Sequence, residues 1–330
     1  MKRTIKLILL YILSYGSSMG QDVHFTNYRT VTNFFNPAQT GDFRGYLKLQ
    51  VASRTQYQRT YEHGVAGVEL NFVSPINKDH WIGAGFNLNY DKTGSLALKT
   101  TGGGLNLAYH IPTDKKQNNV ISIGAAINRF SLTANTDQYR SESTLLGIPD
   151  NDRKVLNDFN ANALSIHSGV HFKSRIDKKN VFEAGFAVIH LNNPTYKILG
   201  GDDASLGSRF NIHTTYKTDV SKIVTLQPAI YLSFAEKQSN VNLQMLSEWR
   251  VAKKNKWKGI VGLSHRMGES LDFITGYTAE RLYISLSFDV LTSQTVDFIP
   301  NPGAIELGAY YILYKPHTPK LKPIVFCPRL

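Results

Sequence analysis

The chain has 330 residues, of which 42% are hydrophobic and 11% aromatic, with a formal net charge of +12 and a single cysteine, Cys327. One cysteine excludes an internal disulfide, and the lack of a run of about 18 apolar residues excludes a helical membrane protein. A transmembrane β-barrel is not excluded, because its strands alternate apolar and polar positions and hide the lipid face in the average.

Residues 1–20 read as an export signal. Lys2, Arg3 and Lys6 form a basic start, residues 7–13 an apolar stretch, and Ser18, Met19 and Gly20 a small-x-small cleavage site ahead of Gln21. Ser14, Gly16, Ser17 and Ser18 stop the apolar run well short of a membrane span. Export removes nucleic acid as a partner despite the positive charge. The basic residues are also spread over turns, as at Lys115 and Lys116, Lys178 and Lys179, and Lys253 and Lys254. Residues 21–43 are expected to form a periplasmic N-terminal segment.

From residue 44 onwards the pattern has period two. "WIGAGFNLNY" sets Ile82, Ala84, Phe86, Leu88 and Tyr90 on one side, with Gly83, Gly85, Asn87 and Asn89 on the other. "GLNLAYHI", "LSIHSGVHF" and "VTLQPAIYLSF" repeat it, and "RLYISLSFDV" opposes Leu282, Ile284, Leu286, Phe288 and Val290 to Tyr283, Ser285, Ser287 and Asp289. Period two marks strands whose two faces meet different surroundings. About fourteen such strands are predicted, at 44–54, 63–73, 80–91, 99–111, 119–132, 161–173, 180–191, 207–218, 223–235, 240–252, 256–266, 270–279, 281–291 and 304–314. Soluble strands usually run about five or six residues, whereas membrane strands need about 9 to 11. No 3.6-residue periodicity follows the leader.

The connections alternate in length. Taking the start of the chain as periplasmic, the turns at 74–79, 112–118, 174–179, 219–222, 253–255 and 280 are short. The long connections, 133–160, 192–206 and 292–303, all fall in the other set. Short periplasmic turns and long external loops are the habit of outer-membrane barrels. A strand in hydrocarbon must pair both edges, so the sheet must close. Trp81, Tyr90, Tyr109, Trp249, Trp257, Tyr277, Tyr310 and Tyr314 lie near strand ends, where interfacial girdles form. The expected fold is therefore all-β: a single antiparallel up-and-down barrel over 44–314, followed by a Pro-rich periplasmic tail over 315–330.

Reaction apparatus is not evident. No Gly-x-Ser-x-Gly elbow, phosphate-binding loop or zinc signature occurs, and "TGGGLNL" lies inside a strand pattern, where glycines mark a bend or a close backbone approach. His167 and His171 share an inward face and are read as lumen-lining rather than as a metal pair. Asp202 and Asp203 are read as a solvated acidic loop rather than a calcium site. Glu183, Lys173, Glu248, Arg250 and Asp272 are candidates for lumen ion pairs. No catalytic, cofactor or metal residue is nominated, and no enzyme activity is expected.

Two motifs lie outside the strand pattern. The mature start reads "QDVHFTNYRTVTNFFNPAQTGDFRG", with Asn36, Pro37 and Ala38 followed by Gly41, and the end reads "KPIVFCPRL". With residues 67–112, these resemble the PorP/SprF family of Bacteroidota. Gln39, Thr40 and Leu330 depart from its commoner residues. The resemblance implies an outer-membrane component of the type IX secretion system that serves export or surface retention of large proteins bearing a type B C-terminal sorting domain, adhesins in gliding species included. Tyr139, Leu145, Leu146, Ile148, Tyr196 and Ile198 are then candidate loop anchors for such a cargo. Cys327, Pro328 and Arg329 are candidate contacts of the tail with periplasmic machinery. Asn36 and Pro37 are expected to form a turn closing the periplasmic end. The alternative reading is a general porin or small-solute channel.

Overall fold

The computed structural model describes residues 25–314 except Gln58, Lys78, 95–97, 134–159, 198–202, 236–237, 251–256 and 293–302. The signal at 1–20, the tail at 315–330 with Cys327, Pro328 and Arg329, and the anchors Tyr139, Leu145, Leu146, Ile148 and Ile198 lie outside the described residues.

Long alternating segments become long strands. They are β1 (Leu47–Gln56), β2 (Tyr61–Val73), β3 (Trp81–Thr93), β4 (Leu98–Pro112), β5 (Asn119–Thr133), β6 (Asn160–Arg175) and β7 (Asn180–Ile189). After a small hairpin, β8 (Thr195–Lys197) and β9 (Asp203–Ser205), come β10 (Arg209–Asp219), β11 (Val224–Ala235), β12 (Gln238–Arg250) and β13 (Lys258–Arg266). The series ends with β14 (Ser270–Thr278), β15 (Leu282–Leu291) and β16 (Ala304–Leu313). Each barrel strand pairs antiparallel with its neighbours in sequence, β7 passing directly to β10, so fourteen strands form one closed barrel. Closure runs from Leu47 opposite Leu313 to Gln56 opposite Ala304, and it leaves neither edge to meet hydrocarbon unpaired. The expected spans differ from these by one to three residues at their ends.

Side-chain parity fixes which solvent each face meets. On β15, Ile284, Leu286, Phe288 and Val290 are 40–49% exposed, while Tyr283, Ser285, Ser287 and Asp289 are at most 2% exposed. The same split recurs at Leu105 and Leu107 against Asn106 and Ala108, and at Val261 and Leu263 against Ile260 and Ser264. An apolar exterior around a polar interior inverts the arrangement of a protein in water and fits one whose outer solvent is lipid. Substituting Leu286→Arg is expected to cost about 2–4 kcal/mol at mid-barrel height. Urea titration of the barrel folded in vesicles would read this, and a cost near zero would contradict lipid contact at Leu286.

Three expectations change in detail. Trp81 and Tyr310 do not join an outer girdle. Trp81 stacks on His110 at 4.8 Å and donates to the Gly41 carbonyl, and Tyr310 stacks on Tyr283 at 4.9 Å beneath Lys48. By contrast Trp249, Tyr90 and Tyr314 are exposed, and Trp257 packs on Tyr277. The connection at 192–206 is not plain loop: it carries the β8–β9 hairpin, with Tyr196 opposite Ala204. The largest change concerns the segment before β1, which lies inside the barrel instead of beyond its periplasmic end.

Candidate functional site: an occupied lumen

Residues 25–44 run through the lumen from the long-loop half to the short-turn end. The segment carries its own small core: Phe25 and Val31 are fully buried and pack with Phe34, Phe35, Ala52 and Val65. Phe25, Phe34 and Phe35 meet edge to face at 5.5–6.4 Å, and Tyr28 stacks on Tyr231 of β11 at 3.9 Å. Four aromatic rings in a short stretch cannot remain solvated at low cost, because each buries a large apolar area. They form an apolar cluster inside the lumen, against the inner faces of β1, β2 and β11.

The upper end is held by buried charge. Arg54 of β1 pairs with Asp289 of β15 at 2.5 Å and Glu306 of β16 at 3.6 Å, all three 1% exposed. Arg266 of β13 adds contacts to Asp289, Asp272 and Glu269. The luminal segment enters this cluster directly: Thr26 Oγ1 donates to Asp289, the Thr26 and Asn27 amides donate to Glu306, and Gln244 donates to the Thr26 carbonyl. Such a buried network is high-stakes, since removing one member strands the charge of another. Lower down, Glu248 of β12 receives Arg29 at 2.6 Å, Lys258 at 2.9 Å and Lys217 at 3.2 Å.

The signature residues at 36–41 lie in the lumen, not at a rim turn. A single helical turn, Thr32–Phe35, leads to a 3₁₀ turn, Pro37–Gln39. Asn36 caps that turn through its side-chain oxygen, which accepts from the Ala38 amide at 2.9 Å, and its side-chain nitrogen donates to the Val170 carbonyl of β6. Pro37 stands at the first position of the turn, where its missing N–H costs nothing. Ala38 faces Gly124 of β5, where an added Cβ would strike the Pro37 and Ala38 backbone. Gly169 and Gly185 make similar notches for Asn36. Gly41 has φ +77° and packs against Gly83 of β3, and its amide donates to Glu69 at 2.7 Å. Glycines on the inner wall thus receive a main chain that no larger residue would admit.

At the short-turn end Asp42 pairs with Lys173 of β6 at 2.9 Å, and Lys173 also meets Glu183 at 3.3 Å. Burial raises the Asp42 carboxyl, but the Lys173 ammonium beside it outweighs this and holds it below the usual carboxylate range. A carboxylate depressed in this way adds stability above its ordinary value near about 4, and that contribution is lost as pH falls. Of the residues expected in lumen ion pairs, Glu183, Lys173, Glu248 and Asp272 are in them, whereas Arg250 stands exposed at the short-turn rim. His167 and His171 face inward and are buried, and His171 stacks on His213 at 5.3 Å. Among the described residues no group of His, Cys, Asp and Glu has the arrangement of a metal site.

The sequence reading missed the locking residues Arg54, Arg266, Asp289 and Glu306. Inward parity alone marks them as luminal; what they hold follows only from the path of residues 25–44.

A closed antiparallel barrel with an apolar outer wall and a polar, occupied lumen defines an outer-membrane barrel protein. Solved barrels are similar in fold. The toluene transporter TbuX of Ralstonia pickettii has 11% identity and a TM-score of 0.52, with 87% of this chain and 94% of that chain covered. The monoaromatic hydrocarbon channel CymD has 9% identity and a TM-score of 0.52, with 87% and 93% covered. A Pseudomonas aeruginosa FadL homologue has 9% identity and a TM-score of 0.50, with 86% and 94% covered. Among curated proteins none matches the chain. The profile of the family described as "Type IX secretion system membrane protein PorP/SprF" matches residues 17–311, and the chain belongs to that family.

Proposed function

We propose that this protein is a non-enzymatic outer-membrane component of the type IX secretion system that supports export or cell-surface attachment of one large secreted protein. The cargo is adhesin-like, carries a type B C-terminal sorting domain and docks at the long-loop end of the barrel. A cleaved signal over 1–20 delivers the chain, and the tail at 315–330 meets other secretion components in the periplasm through Cys327, Pro328 and Arg329. Tyr139, Leu145, Leu146, Ile148, Tyr196 and Ile198 supply apolar anchors of the kind that dominate interfaces.

The observation that carries this reading is the occupied lumen. A general porin needs a wet path, and here residues 25–44 run through the barrel, tied to strands around its wall. Anchoring needs no such path. The experiment is deletion of the gene: one large surface protein should disappear from the cell surface while uptake of small sugars stays unchanged. An unaltered surface proteome with reduced small-solute uptake would support the channel reading instead.

A further inference from the structure

The register of β1 to β6 divides the outer wall near its long-loop end into rows that cross the strands. The lowest is wholly apolar: Leu49, Val68, Phe86, Leu105, Ile127 and Ile166. The next holds Val51, Ala66, Leu88, Gly103, Arg129 and Leu164; above it come Ser53, Gly64, Tyr90, Thr101, Ser131 and Asn162. The top row is Thr55, Glu62, Lys92, Lys99 and Thr133. Oily, then hydroxyl-rich, then charged is the order of acyl chains, headgroup zone and water at the outer surface of a bilayer.

Two features depart from a bland boundary. Arg129 is exposed on the lipid-facing parity of β5, in a row with Leu88 and Leu164, and among the described residues no carboxylate pairs with it. An ionised side chain on the lipid face is costly and marks a functional site with a partner to be named. Lys92 and Lys99 stand directly opposite each other across β3 and β4, an arrangement of like charges that destabilises a sheet. Among the described residues Glu62 is the carboxylate beside this patch: it takes Arg59 at 2.8 Å and lies 3.9 Å from Lys92. Lys99 has Thr133 on its other side. Arg129 stands opposite Gly103, over which the Leu88 and Phe86 side chains close.

We propose that Arg129 and Lys99, supported by Lys92 and the hydroxyl of Thr101, bind the phosphate of a phosphorylated lipid headgroup in the outer leaflet. Two rows separate the Arg129 and Lys99 backbones by about 14 Å along the strands, a gap that the two long side chains reach into from below and above. The guanidinium fork matches a phosphate bidentately, and lysine adds a point charge. The lipid supplies Arg129 with a counter-charge and relieves the Lys92–Lys99 opposition. Its acyl chains lie over Leu88, Leu105 and Ile127.

The full chain, purified in detergent and placed in phosphatidylethanolamine nanodiscs, would be titrated with phosphorylated and with dephosphorylated lipid A, and bound lipid counted by native mass spectrometry. The wild-type chain should prefer the phosphorylated form by roughly tenfold, and Arg129→Gln with Lys99→Gln should abolish that preference. Lys178→Gln with Lys179→Gln, at the opposite rim, should leave it intact. Equal binding of both lipids by the wild-type chain would overturn the proposal without reliance on any variant. So would loss of the preference in the presence of inorganic phosphate, since that outcome makes the patch a general anion surface.

Discussion

A chain lacking residues 25–44 should insert as an open pore. In planar bilayers the full chain is expected to be quiet, and the shortened one to show persistent ohmic conductance. The reason lies in what the segment occupies: its Phe25, Val31, Phe34 and Phe35 cluster packs against Ala52 and Val65 on the inner wall, its main chain lies in notches at Gly83 and Gly124, and its Asn36 side chain lies in those at Gly169 and Gly185. The barrel wall does not depend on it for closure, because β1 pairs with β16 along its whole length. A second variant keeps the test independent of a deletion. Gly124→Leu leaves the strand intact but gives Ala38 and Pro37 no room, an overpacking worth about 1–3 kcal/mol. It should give intermittent openings. If the shortened chain folds, as shown by heat-modifiable migration on gels, and still conducts nothing, the segment does not close this lumen.

Arg54→Leu should loosen the same segment from its upper end. Arg54, Asp289 and Glu306 are each 1% exposed, and Arg54 also donates to Thr26 Oγ1. Truncating one member of a buried pair leaves the other charge without compensation, at a cost of about 3–5 kcal/mol. Arg266, 3.6 Å from Asp289, returns part of it. The cost falls where Thr26 and Asn27 are anchored, so it should appear as release of the segment more than as loss of the barrel. A buried reporter reads this: Val31→Cys in a Cys327→Ser chain should react with a water-soluble maleimide at least about a hundredfold faster after Arg54→Leu, at 1.4 kcal/mol per factor of ten. Arg54→Lys should restore only part, lacking the fork that spans two carboxylates. Pairing Arg54→Leu with Asp289→Leu should recover most of the protection, because apolar replacement of both partners is far milder than removal of one. Unchanged labelling in Arg54→Leu would mean that the acidic cluster does not hold the segment.

The barrel was legible because lipid on one side and polar groups on the other impose period two on every strand. "RLYISLSFDV" displays this within ten residues, and the strand ends follow from where the alternation fails. The alternating short and long connections gave the two ends. The girdle aromatics were legible only in part. Trp81 and Tyr310 are near strand ends as expected, but parity turns them inward, and a tally of aromatics near ends does not register parity. The luminal segment was hidden for a different reason. Residues 25–44 have no period, since main chain lying in a polar lumen meets a different wall at each position. Phe25, Phe34 and Phe35 were the available signal: that much aromatic surface in a segment read as periplasmic requires a burial site. Asn36, Pro37, Ala38 and Gly41 stood out as a motif, yet their spacing says only that a capped turn and a left-handed residue occur there. Their roles depend on Gly124, Gly169 and Gly83, which are distant in sequence.

By itself the sequence determined that its strands span a bilayer and that they close, because both follow from local hydropathy and from the cost of an unpaired backbone group in hydrocarbon. Only the tertiary structure decided what fills the cylinder. An inward polar face specifies that something other than lipid is inside. It does not say whether that is water or chain, since Arg54, Asp289 and Glu306 are compatible with either. The choice rests on contacts between residues more than two hundred apart, such as Thr26 with Asp289, and no local pattern encodes a contact of that range.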